Sequence, residues 1–342
     1  MSGRVIVVVG GQFGSEGKGA VAAHLARREP HPLMAMRIAG PNAGHTVIGT
    51  DDKEYKFRCI PVAAVVRPDA MLAIGAGSEI DHEVLAEEIG WGEFGDRLFV
   101  DAEATVIQDE HKERERSITT GTTGKGIGAA RADRLMRQAE VYGGECDTSQ
   151  MARQWLHSGG TLMIEGTQGF GLGLHSGYYP HTTSSDCRAI DFLAMAGISP
   201  WADYVAEVEV WVVLRTYPIR IAGESGPMTD ETSWANLASE SNDYIVEERT
   251  TVTNKVRRVG RWDLPLAQAA VECNGGASRV KIAMTFADYI DPNLADTRAF
   301  HQLNQSRAWK IWAQSNMPWD LRNRVRLVGT GQNSLVEVNG AN

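Results

Sequence analysis

The sequence predicts an α/β fold: one large, mostly parallel β-sheet with helices on both faces and a P-loop-like phosphate-binding loop. Three observations carry this. Residues 5–9 (VIVVV) form an unbroken apolar run of β-branched residues, as expected of a strand buried on both faces. That run stops at Gly10-Gly11, passes through a glycine loop and enters a helical stretch from Lys18 to Arg27. Further short apolar runs at 34–38, 161–165, 208–214 and 279–286 have the length and composition of strands, and several open into loops rich in Gly, Ser, Thr or Asn.

The 342 residues are 43% hydrophobic and 23% charged, enough for a large core. No internal repeat, low-complexity segment or linker divides them, so a single domain over 1–342 is expected. A net charge of -9 argues against nucleic acid or an anionic membrane as the main partner. No apolar run approaches the ~20 residues of a membrane helix. Cys59, Cys146, Cys187 and Cys273 lie far apart without a CxxC pair, which suits free thiols in a reducing compartment and offers no zinc cluster. The N-terminus enters a strand almost at once, so no signal peptide is expected and a cytoplasmic location is.

In the first loop, Gly14, Gly17 and Gly19 let the backbone approach a ligand, and Lys18 adds a full charge at a helix N-terminus. It is not a Walker A loop: five residues separate Gly11 from Gly17 where that motif has four, and Gly19 replaces the Ser or Thr that would hold magnesium. The run at 34–38 leads into AGPNAGHTVIG, where Asn42 and His45 are the reactive types. At 75–90 a loop and helix are expected, capped by Ser78 with Asp81 three residues on. The charged run 109–116 reads as an exposed helix or turn. GTTGKGIG (121–128) suits a second phosphate site, since hydroxyls and loop N–H groups both donate to oxyanions. Residues 161–165 open into a long polar loop, 240–248 read as acidic and partly helical, and TTVTNKVRR (250–258) gathers the hydroxyls and cations a dicarboxylate needs. In the tail, Trp309 and Trp312 mark an amphipathic helix facing the core.

Taken together, GGQFGSEGKG, NAGHT, GTTGKGIG, EGTQG, YPHTTSS, RRVG and a final GTG resemble, in order along nearly the whole chain, the motifs of the adenylosuccinate synthetases. That resemblance implies the family's fold and a homodimer. It assigns catalysis to Ser15, Lys18, His45 and Gln168. The donor nucleotide falls to Gly14, Ser15, Glu16, Gly17, Lys18 and Gly19, to Gly44, His45 and Thr46, and to Lys281, Gly329 and Gly331. The acceptor nucleotide falls to Ser15, Asn42, Thr122, Thr123, Gln168, Thr183 and Ile221, with Arg137 supplied by the partner chain. Aspartate falls to Thr251, Val252, Thr253 and Arg257, and Mg2+ to Ser15 and the Gly44 carbonyl. Lys255 stands where the family has Arg.

The implied chemistry replaces a purine 6-oxo group by an amine. A triphosphate donor phosphorylates O6, His45 serves as proton donor there, and the aspartate nitrogen attacks C6. Two departures bear on the substrates. Ser15 stands where the family has its catalytic Asp. Ala283 is aligned with the Asp that reads the guanine of GTP in the family's TKLD pattern. Both departures resemble a phage branch of the family, the 2-aminoadenylosuccinate synthetases, which implies dGMP or GMP as acceptor, L-aspartate and ATP as co-substrates, and Mg2+. An ordinary synthetase using IMP and GTP is the alternative. A P-loop-like ATPase or nucleotide-binding regulator would account for residues 10–20 but not for 42–46 or 251–258.

Overall fold

The computed structural model describes residues 2–118, 122–250 and 254–338. Nine strands form the main sheet: β1 (Gly3–Gly10), β2 (Leu33–Arg37), β3 (Met71–Ile74), β4 (Leu98–Val100), β5 (Thr161–Glu165), β6 (Val205–Arg215), β7 (Val280–Thr285), β8 (Val325–Gly331) and β9 (Ser334–Glu337). Their spatial order is β9-β8-β7-β6-β1-β5-β2-β3-β4. Every neighbouring pair is parallel except β8 with β9.

The period of two along each strand separates two cores. Val5, Val7 and Val9 join Leu162, Ile164, Ile282 and Met284 on one face. There they meet helices α5 (Thr148–His157), α6 (Ala189–Met195) and α8 (Leu264–Cys273). Ile6, Val8, Met163, Val213 and Ala283 point to the other face, against Val21, Ala22 and Ala26 of α1 (Lys18–Arg28) and Val84 and Leu85 of α2 (His82–Ile89). Strands apolar on both faces thus have both faces covered.

Several expectations need correction. Asp81, not Ser78, caps α2, accepting from the N–H groups of Glu83 and Val84. Ser78 instead donates to the Arg37 carbonyl and accepts from Ala39 N–H. The charged run does form a helix, α3 (Asp109–Arg116), but its His111 and Glu115 are buried, because α4 (Ile127–Leu135) packs over it. The acidic stretch at 240–248 is almost entirely non-helical; helix α7 (Trp234–Glu240) ends where that stretch begins. Strands β8 and β9 were not foreseen. Trp309, on α9 (Arg307–Asn316), is core as expected and stacks on Trp312.

Parallel pairing brings the carboxyl ends of β1, β2, β5, β6, β7 and β8 to one edge of the sheet, the edge where α/β sheets bind ligands. The loops following them supply most of the site. No described helix is long and apolar enough to cross a membrane.

Candidate active site

A single cavity of about 1290 Å³ runs along that edge. Its floor is the loop after β1. Glu16 is fully buried inside the loop, where its Oε1 accepts from the N–H groups of Gln12 (3.0 Å) and Gly14 (2.8 Å). Its Oε2 accepts from Lys18 Nζ at 2.7 Å, and Lys18 also donates to the Gly14 carbonyl at 2.6 Å. Glu16 therefore braces the loop and does not line the cavity, whereas Gly14, Ser15, Gly17, Lys18 and Gly19 do. Gly17 has φ 87 and caps α1. A Cβ at Gly19 would lie 2.8 Å from His45 Cβ and 3.0 Å from the Thr46 carbonyl oxygen. This explains the departure from Walker A: α1 starts directly against the His45 strand, and a Ser or Thr has no room.

His45 begins a hairpin after β2 (His45–Ile48 paired with Glu54–Phe57) and is buried. Its Nδ1 faces Arg37 Nη1 at 2.8 Å and the Glu165 carboxylate, which is itself hydrogen-bonded to Arg37. Arg37 and Glu165 end β2 and β5, and the parallel register sets them side by side. Burial, reinforced by the Arg37 charge and opposed by Glu165, pushes His45 down to about 4, so the ring is neutral near pH 7. Nδ1 thus stands between a donor, Arg37, and an acceptor, Glu165: the tautomer with its proton on Nε2 pairs with Arg37, and the one with its proton on Nδ1 pairs with Glu165. Glu165 is held below the usual carboxylate range: its burial is outweighed by Arg37 and His45. Sequence reading named His45 but not this pair behind it.

Ser15 is half-buried, and its Oγ accepts from Arg257 Nη1 at 2.9 Å. Its backbone carbonyl accepts from Arg215 Nη1 at 3.0 Å. Arg215, at the end of β6, is buried, ion-paired with Glu248 and lies 3.9 Å over the Phe286 ring. The structure thus brings Ser15 together with Arg257, the cation expected to hold aspartate. Asn42 and Gln168 meet nearby, with Gln168 Nε2 donating to Asn42 Oδ1 at 3.3 Å. Gln168 adopts φ 58. Thr122, Thr123, Thr183, Ile221, Gly44, Thr46, Gly329 and Gly331 also line the cavity. Thr251, Val252 and Thr253 lie outside the described residues. Arg137 is exposed with φ 62 and does not line this chain's cavity.

The donor-base expectation is displaced. Lys281 lies near the start of β7, away from the site, ion-paired with Glu209. Ala283 is fully buried in the core against α1. The residues that reach the cavity are Thr285, Phe286, Asp288 and Tyr289, past the end of β7. Thr285 and Asp288 keep the spacing of the family's TKLD, so the carboxylate is present, five residues beyond Ala283. Asp288 is buried; its Oδ2 accepts from the Tyr244 hydroxyl at 3.0 Å, and its Oδ1 has no partner among the described residues. Burial pushes its carboxyl above the ordinary range. Its signal in the sequence was the Thr-x-x-Asp spacing at the strand's end rather than the lysine at its start.

For Mg2+ the donor set is sparse. No group of three or more His, Cys, Asp or Glu is arranged for a metal among the described residues. Ser15 Oγ accepts from the Arg257 guanidinium, a cationic neighbour that disfavours a metal ion at that oxygen. Gly44 lines the cavity, and so sparse a set of protein donors fits an ion held chiefly by donor phosphates.

The adenylosuccinate synthetase family model matches residues 7–143 and 139–294. This chain belongs to the adenylosuccinate synthetase family. Members are ligases that form a C–N bond, and the regulator alternative falls with that membership. The adenylosuccinate synthetase of Methanococcus maripaludis strain S2 is 37% identical over 316 residues, 87% of this chain and 88% of that protein. That of Archaeoglobus fulgidus is 33% identical over 337 residues, 95% of each. Among solved structures, the succinoaminodeoxyadenylate synthetase (PurZ) of cyanophage S-2L, bound to dGMP and dATP as energy donor, superposes with TM-score 0.80 at 25% identity, covering 98% of this chain and 96% of that one. The fully ligated adenylosuccinate synthetase of Plasmodium falciparum superposes at 0.82 with 19% identity, covering 98% and 100%, and so shares the fold.

Proposed function

We propose that this synthetase joins L-aspartate to C6 of a guanylate, converting dGMP, L-aspartate and ATP to 2-amino-2′-deoxy-N6-succinyl-AMP, ADP and phosphate through a 6-phosphoryl intermediate. The observation that carries the reading is Ser15 held by Arg257. In the usual family loop an Asp takes the N1 proton of hypoxanthine. Guanine adds an amino group beside N1, and a misfit of even about 1 Å is costly in a preorganised site. Serine is shorter and neutral, so it leaves room for that amino group. With its oxygen engaged by a guanidinium it is a poor base, and it positions the purine rather than holding the proton.

The chain's other residues fit the remaining steps. Lys18 and the loop N–H groups face the donor phosphates, with bound magnesium supplying further charge neutralisation there. His45, neutral near pH 7, donates to the 6-oxygen through Nε2 as charge develops, in the tautomer whose Nδ1 accepts from Arg37. Arg257 and Thr251–Thr253 hold the carboxylates of aspartate. Arg137, exposed and outside its own cavity, serves the acceptor phosphate of a second copy in a homodimer.

Ala283, fully buried in the core, has no contact with the donor site. Support for ATP comes from Tyr244, whose hydroxyl already donates to Asp288 Oδ2, while Oδ1 is buried. A carboxylate so engaged is a weaker partner for the paired bond that guanine's N1–H and 2-amino group would make, which lowers the advantage of GTP. The dATP bound to the cyanophage relative points the same way. The second reading, an IMP- and GTP-using synthetase, draws on the Methanococcus and Archaeoglobus relatives and on the presence of Asp288 itself.

The deciding experiment crosses IMP, GMP and dGMP with ATP and GTP, with the succinyl product read by mass. dGMP or GMP should be converted and IMP poorly so, and Ser15→Asp should move selectivity toward IMP. A chain that converts IMP and ignores dGMP is an ordinary synthetase.

A further inference from the structure

Behind the second glycine loop lies a buried carboxylate with no part in the chemistry above. Glu115, on the last turn of α3, is 5% exposed and reaches into the N-terminus of α4. One oxygen, Oε2, accepts from Gly126 N–H at 2.8 Å and from the Thr122 hydroxyl at 3.2 Å. The other, Oε1, accepts from Gly128 N–H. Gly126 is the N-cap of α4, so these are donors that a helix start offers to an anion. The loop that reads in sequence as an open phosphate cradle is therefore filled by the protein's own negative charge.

The geometry leaves no slack for a second anion on the same donors. A Cβ at Gly126 would stand 2.9 Å from Ile107 Cγ2 and 3.0 Å from Lys112 N, and its φ of +83 favours glycine. A Cβ at Gly128 would stand 3.2 Å from Glu115 Oε1. A phosphate sharing these N–H groups would meet a carboxylate at contact distance, and like charges so placed are strongly disfavoured. Glu115 itself reaches the cavity wall beside Thr122 and Gly128, with its carboxylate oxygens engaged by the loop. Among the described residues, the unengaged groups lining this region are Thr123 and Lys125, with Thr183 and Ser184 nearby.

We propose that Glu115 is a positioning residue. It acts as a built-in counter-anion that sets the 122–128 loop, so that the acceptor's phosphate is taken by hydroxyls and Lys125 and not by the start of α4. This rests on the reading that the loop faces the acceptor nucleotide.

The test is steady-state kinetics of the full chain, varying each substrate in turn, for Glu115→Gln, Glu115→Ala and Thr123→Ala. Glu115→Gln cannot accept from both N–H groups, and loss of a charged hydrogen bond of this kind should raise the acceptor KM about tenfold or more. Turnover at saturation and the KM values for donor and aspartate should stay unchanged. In Glu115→Ala, sodium acetate restores the deleted carboxylate and should recover the acceptor KM, while sodium chloride at equal ionic strength should not. An unchanged acceptor KM in Glu115→Gln overturns the proposal. So does a uniform loss for all three substrates that acetate does not reverse, which would make Glu115 a packing residue. If Glu115→Ala fails to fold, Glu115→Gln decides alone. Thr123→Ala separates the two levels: if it raises the acceptor KM while Glu115→Gln does not, only this inference is lost. If Thr123→Ala leaves the acceptor KM unchanged, the loop does not face the acceptor, and both fall.

Discussion

At the scale of single residues, the site works through pairs in which a second side chain fixes the state of the first. His45 is the clearest. Burial and Arg37 keep it neutral against the pull of Glu165, and Arg37 and Glu165 together hold its Nδ1. His45→Asn should bind nucleotides almost normally and lose about 10²- to 10⁴-fold in kcat, measured by isothermal titration beside turnover; survival within tenfold would make the histidine structural. Asp288 and Tyr244 form a second pair. Tyr244→Phe frees Asp288 Oδ2, so the ratio of kcat/KM for GTP over ATP should rise by about tenfold. An unchanged ratio would remove Tyr244 from donor selection.

Between elements, one close approach stands out. The first turn of α1 and the His45 strand are separated only by the missing side chain of Gly19. Gly19→Ala forces the helix start and the catalytic hairpin apart. Since misplacement by about 1 Å can cost 10²-fold, kcat should fall by that order while the fold, read by circular dichroism, persists. Activity within twofold of wild type would show that the hairpin can shift without consequence. The same close approach explains a sequence feature that had no cause when read alone, the glycine where a phosphate loop of the usual kind carries Ser or Thr.

Across the whole molecule, two properties follow from the placement of charge. The first is acid sensitivity. His45 has a folded value of about 4 against an ordinary 6.5, so the unfolded chain binds the extra proton first. Stability from the neutral buried ring is complete above pH 6.5 and is lost as pH falls toward 4. Glu165 and Glu248, both held below the ordinary carboxylate range, add their own loss lower on the scale. Thermal midpoints should therefore drop between pH 6.5 and 4, and His45→Asn should flatten that part of the curve; an identical curve for the variant would refute the assignment. The second is assembly. Mixing inactive Arg137→Ala with inactive Lys18→Ala subunits should restore activity, because one hybrid site holds both side chains. No recovery despite demonstrated subunit exchange would count against a shared site.

What the sequence determined by itself was whatever depends on local pattern. The continuous apolar runs within 5–9 and 161–165 specify strands covered on both faces, and the glycines around Lys18 specify a phosphate loop. Ordered short motifs identify the family because each is contiguous. What only the tertiary structure decided concerns partners brought together from far along the chain. Glu165 reaches His45 across 120 residues and Arg257 reaches Ser15 across 242, because neighbouring parallel strands and the loops beyond them meet without any sequence signal of their own. The displacement of the expected donor-base position has the same origin. Along β7 one residue changes the face of the sheet and a few change the end, so Ala283 is core while Asp288 reaches the cavity. Glu115 looked like surface charge because its counterpart, the start of α4, becomes its neighbour only when the two helices pack.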